Sequence, residues 1–326
     1  MRIGIYGYGN LARGVEDAIR RNPDMELAAV FTRRNPATLQ LHTPGVPTVA
    51  AVQVGDWVGK IDVMIVCGGS ATDLPAMTPM LAAQFNVVDS YDNHSRIPAH
   101  YAAVDQAAAA AGTTALISCG WDPGLFSLAR LYGSVALPEG SDYTFWGRGV
   151  SQGHSDAIRR IPGVLDARQY TVPVPGAVAR VRQGETPALT TRDKHTRECY
   201  VVAAEGADRE EIRRQIVTMP AYFADYDTTV TFITAEEMQR SHAGLPHGGS
   251  VIRSGVTGQN GEHRQVVEYQ LRLDSNPEFT GSVLVAFARA VGRLAARGVH
   301  GCKTVLDIAP ADLSLTPRDE LIAHML

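Results

Sequence analysis

Apolar and polar positions follow two rhythms along this chain. A short apolar run from Arg2 to Tyr6 gives way at GYGN to the helical spacing of LARGVEDAIRRN. Further apolar runs stand at ELAAVF, at IDVMIVC (61–67), at NVVDS and at TALIS, with helical patterns in DLPAMTPMLAAQF and IPAHYAAVDQAAAAAG. Strands alternating with helices predict a parallel, doubly wound sheet. From about Trp121 the rhythm changes. DYTFW, DARQYTVPV, ECYVVAA, YDTTVTFIT and HRQVVEYQLRLD read as antiparallel or mixed strands, interrupted by helices near HSDAIRRI and DREEIRRQIVTM. FTGSVLVAFARAVGRLAARG (279–298) reads as an amphipathic helix, with Phe279, Val283, Val285, Phe287, Val291 and Leu294 among its apolar positions.

The first turn carries chemistry. Gly7, Gly9 and Ala12 fit the G-x-G-x-x-A form of the dinucleotide fingerprint, so the first domain is expected to be Rossmann-type. The first glycine permits the tight turn, the second lets a pyrophosphate approach the backbone, and the small third residue lets helix and strand pack closely. The helix N-terminus offers free N–H groups to phosphate. At the end of the second strand, where NAD-binding proteins place a carboxylate for the ribose hydroxyl, stand Thr32, Arg33 and Arg34. A carboxylate repels a 2′-phosphate, whereas a guanidinium accepts it through a planar fork, so the expected cofactor is NADP.

Bulk properties narrow the class. The 326 residues allow two domains. A net charge of −4 gives no reason to expect nucleic acid or an anionic membrane as partner. Gly, Asp or Arg breaks the longest apolar runs, so no membrane span is expected, and the chain opens on a strand rather than a leader. Cys67, Cys119, Cys199 and Cys302 are widely spaced without a CxxC pair, which points to reduced thiols in the cytoplasm and to no metal site.

Three longer stretches go further: VDSYDNH (88–94), SCGWDPG (118–124) and FWGRGVSQGHSDAIRRIPGV (145–164). Together with GYGNLARG, LPHGG and SNPEFT, they make the chain resemble the meso-diaminopimelate D-dehydrogenases over nearly its whole length. The resemblance implies NADP-dependent oxidative deamination of the D-centre of meso-2,6-diaminoheptanedioate, giving L-2-amino-6-oxoheptanedioate and ammonia, in bacterial lysine and cell-wall metabolism. It also implies a homodimer with the middle sheet as interface. The expected layout is a dinucleotide domain over 1–120, joined by 277–326, and an α+β substrate-binding and dimerisation domain over 121–276.

Carried onto this sequence, the family's cofactor contacts fall on Gly7, Tyr8, Gly9, Asn10 and Leu11, on Thr32 to Arg34, and on Cys67, Gly68, Gly69 and Ser70. They continue on Ser90, Tyr91 and Asp92 and on Cys119, Gly120, Trp121, Asp122 and Pro123. Its substrate contacts fall on Asp92, Trp121, Asp122, Trp146, Thr171, Arg197, His247 and Asn276, with Ser151 nearby. Two departures stand out: Arg148 in GRG, where the family pattern has proline, and a long loop at 256–265.

These residue types suit a substrate carrying an ammonium and a carboxylate at each end. Asp92 and Asp122 follow strands and match the reacting ammonium, with Asp122 a candidate for proton transfer. Arg197, Thr171, His247 and Asn276 match the distal amino-acid end. Trp146 and the glycine-rich segment after it offer a wall and backbone N–H groups to the proximal carboxylate. Carboxylates of ordinary acidity, near pKa 3.9 for aspartate, are weak bases toward an ammonium, so burial, a neighbouring carboxylate or alkaline solvent must assist.

Blander readings stay open on sequence alone. Asp122 before Pro123-Gly124 also reads as a helix cap or turn former, and Asp92 as an Asx turn. Trp146 also reads as core, His247 as a loop residue and Arg197 as a solvated strand edge. His154 and His242 have no legible partner. Two rival functions remain, a non-catalytic NADPH sensor and a reductase of a cyclic lysine precursor such as dihydrodipicolinate reductase, whose histidine–lysine motif is not evident.

Overall fold

The computed structural model describes residues 1–326. They form two compact units, Met1–Leu128 with Pro277–Leu326, and Ala129–Asn276.

The first unit opens with β1 (Arg2–Tyr6), α1 (Asn10–Arg20), β2 (Glu26–Thr32), β3 (Thr48–Ala50) and β4 (Val63–Val66). It continues with α2 (Leu74–Ala82), β5 (Val87–Asp89), α3 (Ile97–Ala111), β6 (Thr114–Leu116) and the start of α4 (Leu125–Ala136). All four residues of β4 are buried, and their side chains divide between two apolar clusters. Val63 and Ile65 join α1, while Met64 and Val66 join α2 and α3. A strand covered on both faces reads as an unbroken apolar run, which is why VMIV does not alternate.

The second unit contains β7 (Gly140–Trp146), β8 (Gly149–Val150), α5 (Gln152–Arg159), β9 (Val164–Pro173), α6 (Pro175–Arg182), α7 (Thr191–Lys194) and β10 (His195–Ala203). Then come α8 (Arg209–Val217), β11 (Asp227–Phe232), α9 (Ala235–His242), β12 (His247–Thr257) and β13 (His263–Leu273). Two sheets form where the sequence predicts one. The order β11-β10-β9-β8 is mixed, with β10 and β11 parallel and the other pairs antiparallel. The order β13-β12-β7 is antiparallel throughout. Its central strand β12 is absent from the sequence reading, and His247, read as loop, is its first residue. Gly248 to Gly255 of β12 are all buried, so no polar alternation marks the strand.

The chain then returns to the first unit through α10 (Asn276–Ala296) and β14 (Gly301–Lys303). β14 completes a seven-stranded parallel sheet in the order β14-β6-β5-β4-β1-β2-β3. The fold class is the expected one, a Rossmann-type parallel sheet plus an α+β unit. One expectation is corrected: α10 is long and apolar enough, by length and composition, to cross a bilayer. Its apolarity has another use here. Val283, Leu284, Val285, Phe287, Ala288, Ala290 and Val291 are buried in the cluster formed by β1, β4 and α1. Each buried Val, Leu or Phe among them stabilises the fold by about 1.5–3 kcal/mol, the alanines by less. The helices cross closely: a Cβ on Gly14 would lie 2.5 Å from the Pro277 carbonyl oxygen, and one on Gly281 would lie 2.5 Å from backbone of Gly14 and Val15. Arg289, also buried, is neutralised by Asp24 at 2.6 Å.

Candidate active site

In the first unit the predicted cofactor residues follow the carboxyl ends of β1, β2, β4, β5 and β6, the edge at which open α/β sheets bind ligands. Gly7 has φ +91°, and a Cβ there would lie 2.5 Å from the Cys67 carbonyl oxygen, so the turn tolerates only glycine. Gly9 caps α1 with no side-chain hydrogen bond, and a Cβ on it would meet nothing within 4 Å. The result is an open cradle at an uncapped helix N-terminus, where a pyrophosphate fits.

Tyr8 is buried beneath this turn and donates its hydroxyl to Glu16, itself fully buried. Burial, then Glu16, pushes the phenol well above its ordinary pKa, so it stays a donor. The Arg34 guanidinium reaches back to donate to the Tyr8 carbonyl, and the Arg34 N–H donates to Thr32 Oγ1 at 3.1 Å. The structure thus brings Tyr8, Thr32 and Arg34 together. Arg33 pairs with Asp73 at 3.0 Å, and Asp73 accepts the Gly69 N–H at 2.9 Å. Asp73 escaped the sequence reading, although it stands four residues after a glycine of a predicted cofactor loop. The residues fit a 2′-phosphorylated dinucleotide, which would meet Arg34 and would compete with Asp73 for Arg33.

The β4, β5 and β6 loops are tied by side chains. Ser70 donates its hydroxyl to the Asp92 carboxylate and accepts the Asp92 N–H at 2.9 Å. Asp89, buried and missed by sequence reasoning, accepts N–H bonds from Tyr91 at 3.1 Å and Ser118 at 2.9 Å. Its other oxygen takes Thr78 Oγ1 and His100 Nε2, both at 2.7 Å. One carboxylate therefore anchors the loops that carry Asp92 and Asp122. Asp92 is exposed and Asp122 half-buried, next to the buried Trp121 and the cis peptide before Pro123. Trp121 packs edge-on against Phe126, with ring centroids 5.3 Å apart. Burial pushes the Cys67 thiol up to about 12, so it acts as a packing group.

In the second unit the predicted substrate residues start from strands. Arg197 and Thr171 are paired in the β10–β9 register, and the guanidinium donates to Thr171 Oγ1. Arg197 is 6% exposed, so the solvated-edge reading is wrong. The strand begins at His195, three residues before the predicted ECYVVAA, and its inward face carries His195, Arg197 and Cys199. The Tyr226 ring lies beneath Arg197, 3.8 Å from ring centroid to guanidinium carbon. Burial without a carboxylate partner lowers the pKa of Arg197, leaving its charge available to an anionic ligand.

Two histidines belong to this cluster. Ser151 caps α5, and its hydroxyl bonds to His154 Nδ1 at 2.6 Å, a partner that spacing did not reveal. Burial and the Arg197 charge push His154 down to about 4. His195 is pushed down to about 3 by burial, Arg197 and Lys194. His195 Nε2 accepts the Trp146 N–H at 2.9 Å, and the two rings stack at 5.2 Å. Trp146 is half-buried, short of the core position considered from sequence.

The Gly147 N–H donates to Gly248 at 3.0 Å and the Val150 N–H to Pro246 at 2.8 Å, bringing the Trp146–Ser151 segment beside His247. A Cβ on Gly149 would lie 2.5 Å from the His247 ring, so that ring packs flat over glycine. Asn276 N–H donates to Leu245 at 2.9 Å, which holds the start of α10 near the same segment. A cavity of about 740 Å³ borders Gly147, Arg148, His247, Arg182, Arg272 and Asp274. It shares only His247 with the predicted substrate residues and is not their common site. Arg148, the departure from the family pattern, pairs with Glu198 at 2.5 Å and lies over Tyr170 at 4.9 Å. His242 likewise has partners, the Tyr170 hydroxyl at 2.8 Å and the stacked Tyr200 ring.

Comparison with known proteins points to one family. Residues 120–275 match the family model described as diaminopimelic acid dehydrogenase C-terminal domain. The meso-diaminopimelate D-dehydrogenase of Acetivibrio thermocellus is 56% identical over 326 residues, covering 100% of this chain and 98% of the relative. The structure is similar to that of Corynebacterium glutamicum DAP dehydrogenase in complex with DAP, with TM-score 0.92, 46% identity and coverage of 100% and 99% of the two chains. It is also similar to an engineered D-amino acid dehydrogenase bound to NADP+, with TM-score 0.88, 45% identity and coverage of 100% and 99%. A fold built on a glycine-turn cofactor edge and a second unit presenting a buried arginine thus has full-length relatives of one activity, and the chain belongs to the meso-diaminopimelate D-dehydrogenase family.

Proposed function

We propose that this chain catalyses the reversible, NADP-dependent oxidative deamination of the D-centre of meso-2,6-diaminoheptanedioate, yielding L-2-amino-6-oxoheptanedioate, ammonia and NADPH, in lysine and diaminopimelate metabolism. The observation that carries the reading is full-length identity of 56% with an enzyme of that name. The alternatives, an NADPH sensor or a cyclic-precursor reductase, are not favoured.

Bound NADP supplies the hydride acceptor. The cradle at Gly7 to Leu11 takes the pyrophosphate on the α1 N-terminus, and Thr32, Arg33 and Arg34 take the 2′-phosphate. Residues 67–70, 90–92 and 119–123 line the rest of the cofactor edge. Asp92, oriented by Ser70, and Asp122 bind the reacting ammonium. The amine must lose a proton before its lone pair can expel hydride from the same carbon, and Asp122 takes that proton. Water then adds to the resulting iminium carbon, and ammonia leaves. Arg197 with Thr171, His247 and Asn276 binds the distal amino-acid end, while Trp146, Trp121 and Ser151 confine the substrate.

The partner is a second copy of the chain: β13 is an outer strand that exposes Val266, Val267 and Tyr269. Four free cysteines suit the cytoplasm. The test is absorbance at the NADPH band with purified protein, meso-diaminopimelate and NADP, with NAD in parallel. Rapid signal with NADP and little with NAD is expected. NADPH binding without turnover of meso-diaminopimelate would revive the sensor. Proton transfer by Asp122 is tested separately: Asp122→Asn should lower kcat by about a hundredfold, the scale of general-base catalysis, and abolish the acidic limb of the pH–rate profile. An unchanged profile removes that role.

A further inference from the structure

The geometry points to His195 as a positioning residue for the dehydrogenase reaction, one that fixes Trp146 against the substrate by holding both its backbone and its ring. This rests on the reading of Trp146 as a wall of the substrate site.

β7 is the outer strand of its sheet, pairing on its inner side with β12, where Trp146 lies opposite Gly249. An N–H on the open side of an outer strand has no strand partner and must find another acceptor or water. The Trp146 N–H finds His195 Nε2 at 2.9 Å. An imidazole accepts at Nε2 only when that nitrogen carries no proton, so His195 is the neutral Nδ1–H tautomer. The same ring stacks on the indole, with centroids 5.2 Å apart and planes 26° from parallel, while Phe145 closes on it at 6.1 Å.

Arg197 stands two residues further along β10, on the same inward face. Its charge opposes protonation of His195, as do burial and Lys194. Protonation would place a donor against the Trp146 N–H and release it. One strand face therefore carries both Arg197, assigned to the distal carboxylate, and His195, the support of Trp146. The histidine touches no reacting atom and acts through Trp146.

The test compares His195→Phe, which keeps a ring but removes the acceptor, with His195→Gln, which restores an acceptor through Oε1. His195→Phe should lower kcat/KM for meso-diaminopimelate about tenfold, shift the Trp emission, and leave the NADPH Kd within twofold. His195→Gln should recover kcat/KM to within about threefold of the unsubstituted enzyme. A folded His195→Phe with unchanged kcat/KM, beside a Trp146→Ala that is impaired, overturns the inference alone. An unimpaired Trp146→Ala overturns the reading beneath it as well. Should His195→Phe not fold, long-range ¹H–¹⁵N spectra of the unsubstituted protein decide: a bare Nε2 with protonated Nδ1 supports the assignment, and a protonated Nε2 overturns it.

Discussion

The two units differ in how they carry several of their candidate functional groups. In the first, Gly9, Arg33, Arg34, Gly69 and Asp92 lie in turns and loops after strands, largely exposed to solvent. In the second, Thr171 and Arg197 lie within strands and are buried, joined in register across β9 and β10. A dinucleotide is long and is gripped mainly through phosphates, which backbone N–H groups and flexible arginines can meet at a sheet edge. A small double zwitterion offers little area, so groups that select it must be held fixed before it arrives, and burial in a register pair would do that for Thr171 and Arg197 in their proposed role.

The contrast can be broken most directly at Arg197. Arg197→Leu removes the buried cation that we assign to the distal carboxylate, a loss of about 2–5 kcal/mol for a desolvated charge pair. We expect kcat/KM for meso-diaminopimelate to fall by about a hundredfold or more, with NADPH affinity by calorimetry unchanged. Equal loss of both affinities would erase the distinction between the units. A smaller effect is expected at the exposed side. Arg34→Ala should reduce the NADP-over-NAD ratio of kcat/KM by about tenfold, the scale of one charge-assisted hydrogen bond, without changing KM for the amino acid. A ratio left intact would assign the 2′-phosphate elsewhere.

A third effect is on stability. His154 and His195 have folded pKa values of about 4 and about 3, below the ordinary value of 6.5. The unfolded chain therefore binds more protons across that interval, so stability is full above pH 6.5 and declines as pH falls toward 4. Melting temperatures between pH 7.5 and 4.5 should drop for the unsubstituted protein and drop less for a His154→Gln/His195→Gln double variant. Parallel curves would mean these histidines are not held neutral by the second unit's interior.

The same contrast explains what the sequence could disclose. The glycine turn and the arginine pair are legible because local backbone demands select residue types: Gly7 at φ +91° and a helix end with no side-chain cap at Gly9. Strands of the first sheet are legible because burial on both faces makes them continuous apolar runs. β12 was invisible for a related reason, since eight buried residues rich in Gly and Ser follow neither the apolar-run nor the alternating pattern. Taken by composition alone, Arg197 reads as a solvated strand edge, because the start of β10, His195-Thr196-Arg197, is polar in sequence and apolar only in its surroundings. Asp73 and Asp89 combine a local backbone contact with partners distant in sequence, Arg33 for the first and Thr78, His100 and Ser118 for the second, while Tyr226 meets Arg197 from a distant strand end, and those distant contacts are not legible locally. For Thr171, Arg197, His247 and Asn276 the family resemblance selected the positions, and the fold then provided a physical setting for each.

The most direct test uses meso-diaminopimelate deuterated at the D-centre alone, incubated with the protein and NADP, with mass analysis of the reduced cofactor and the product. The account predicts transfer of the label to the cofactor, formation of L-2-amino-6-oxoheptanedioate, and no turnover of the LL isomer. Unlabelled NADPH, or oxidation of the LL isomer, would contradict the assignment of Asp92 and Asp122 to the reacting end and of Arg197 to the distal one.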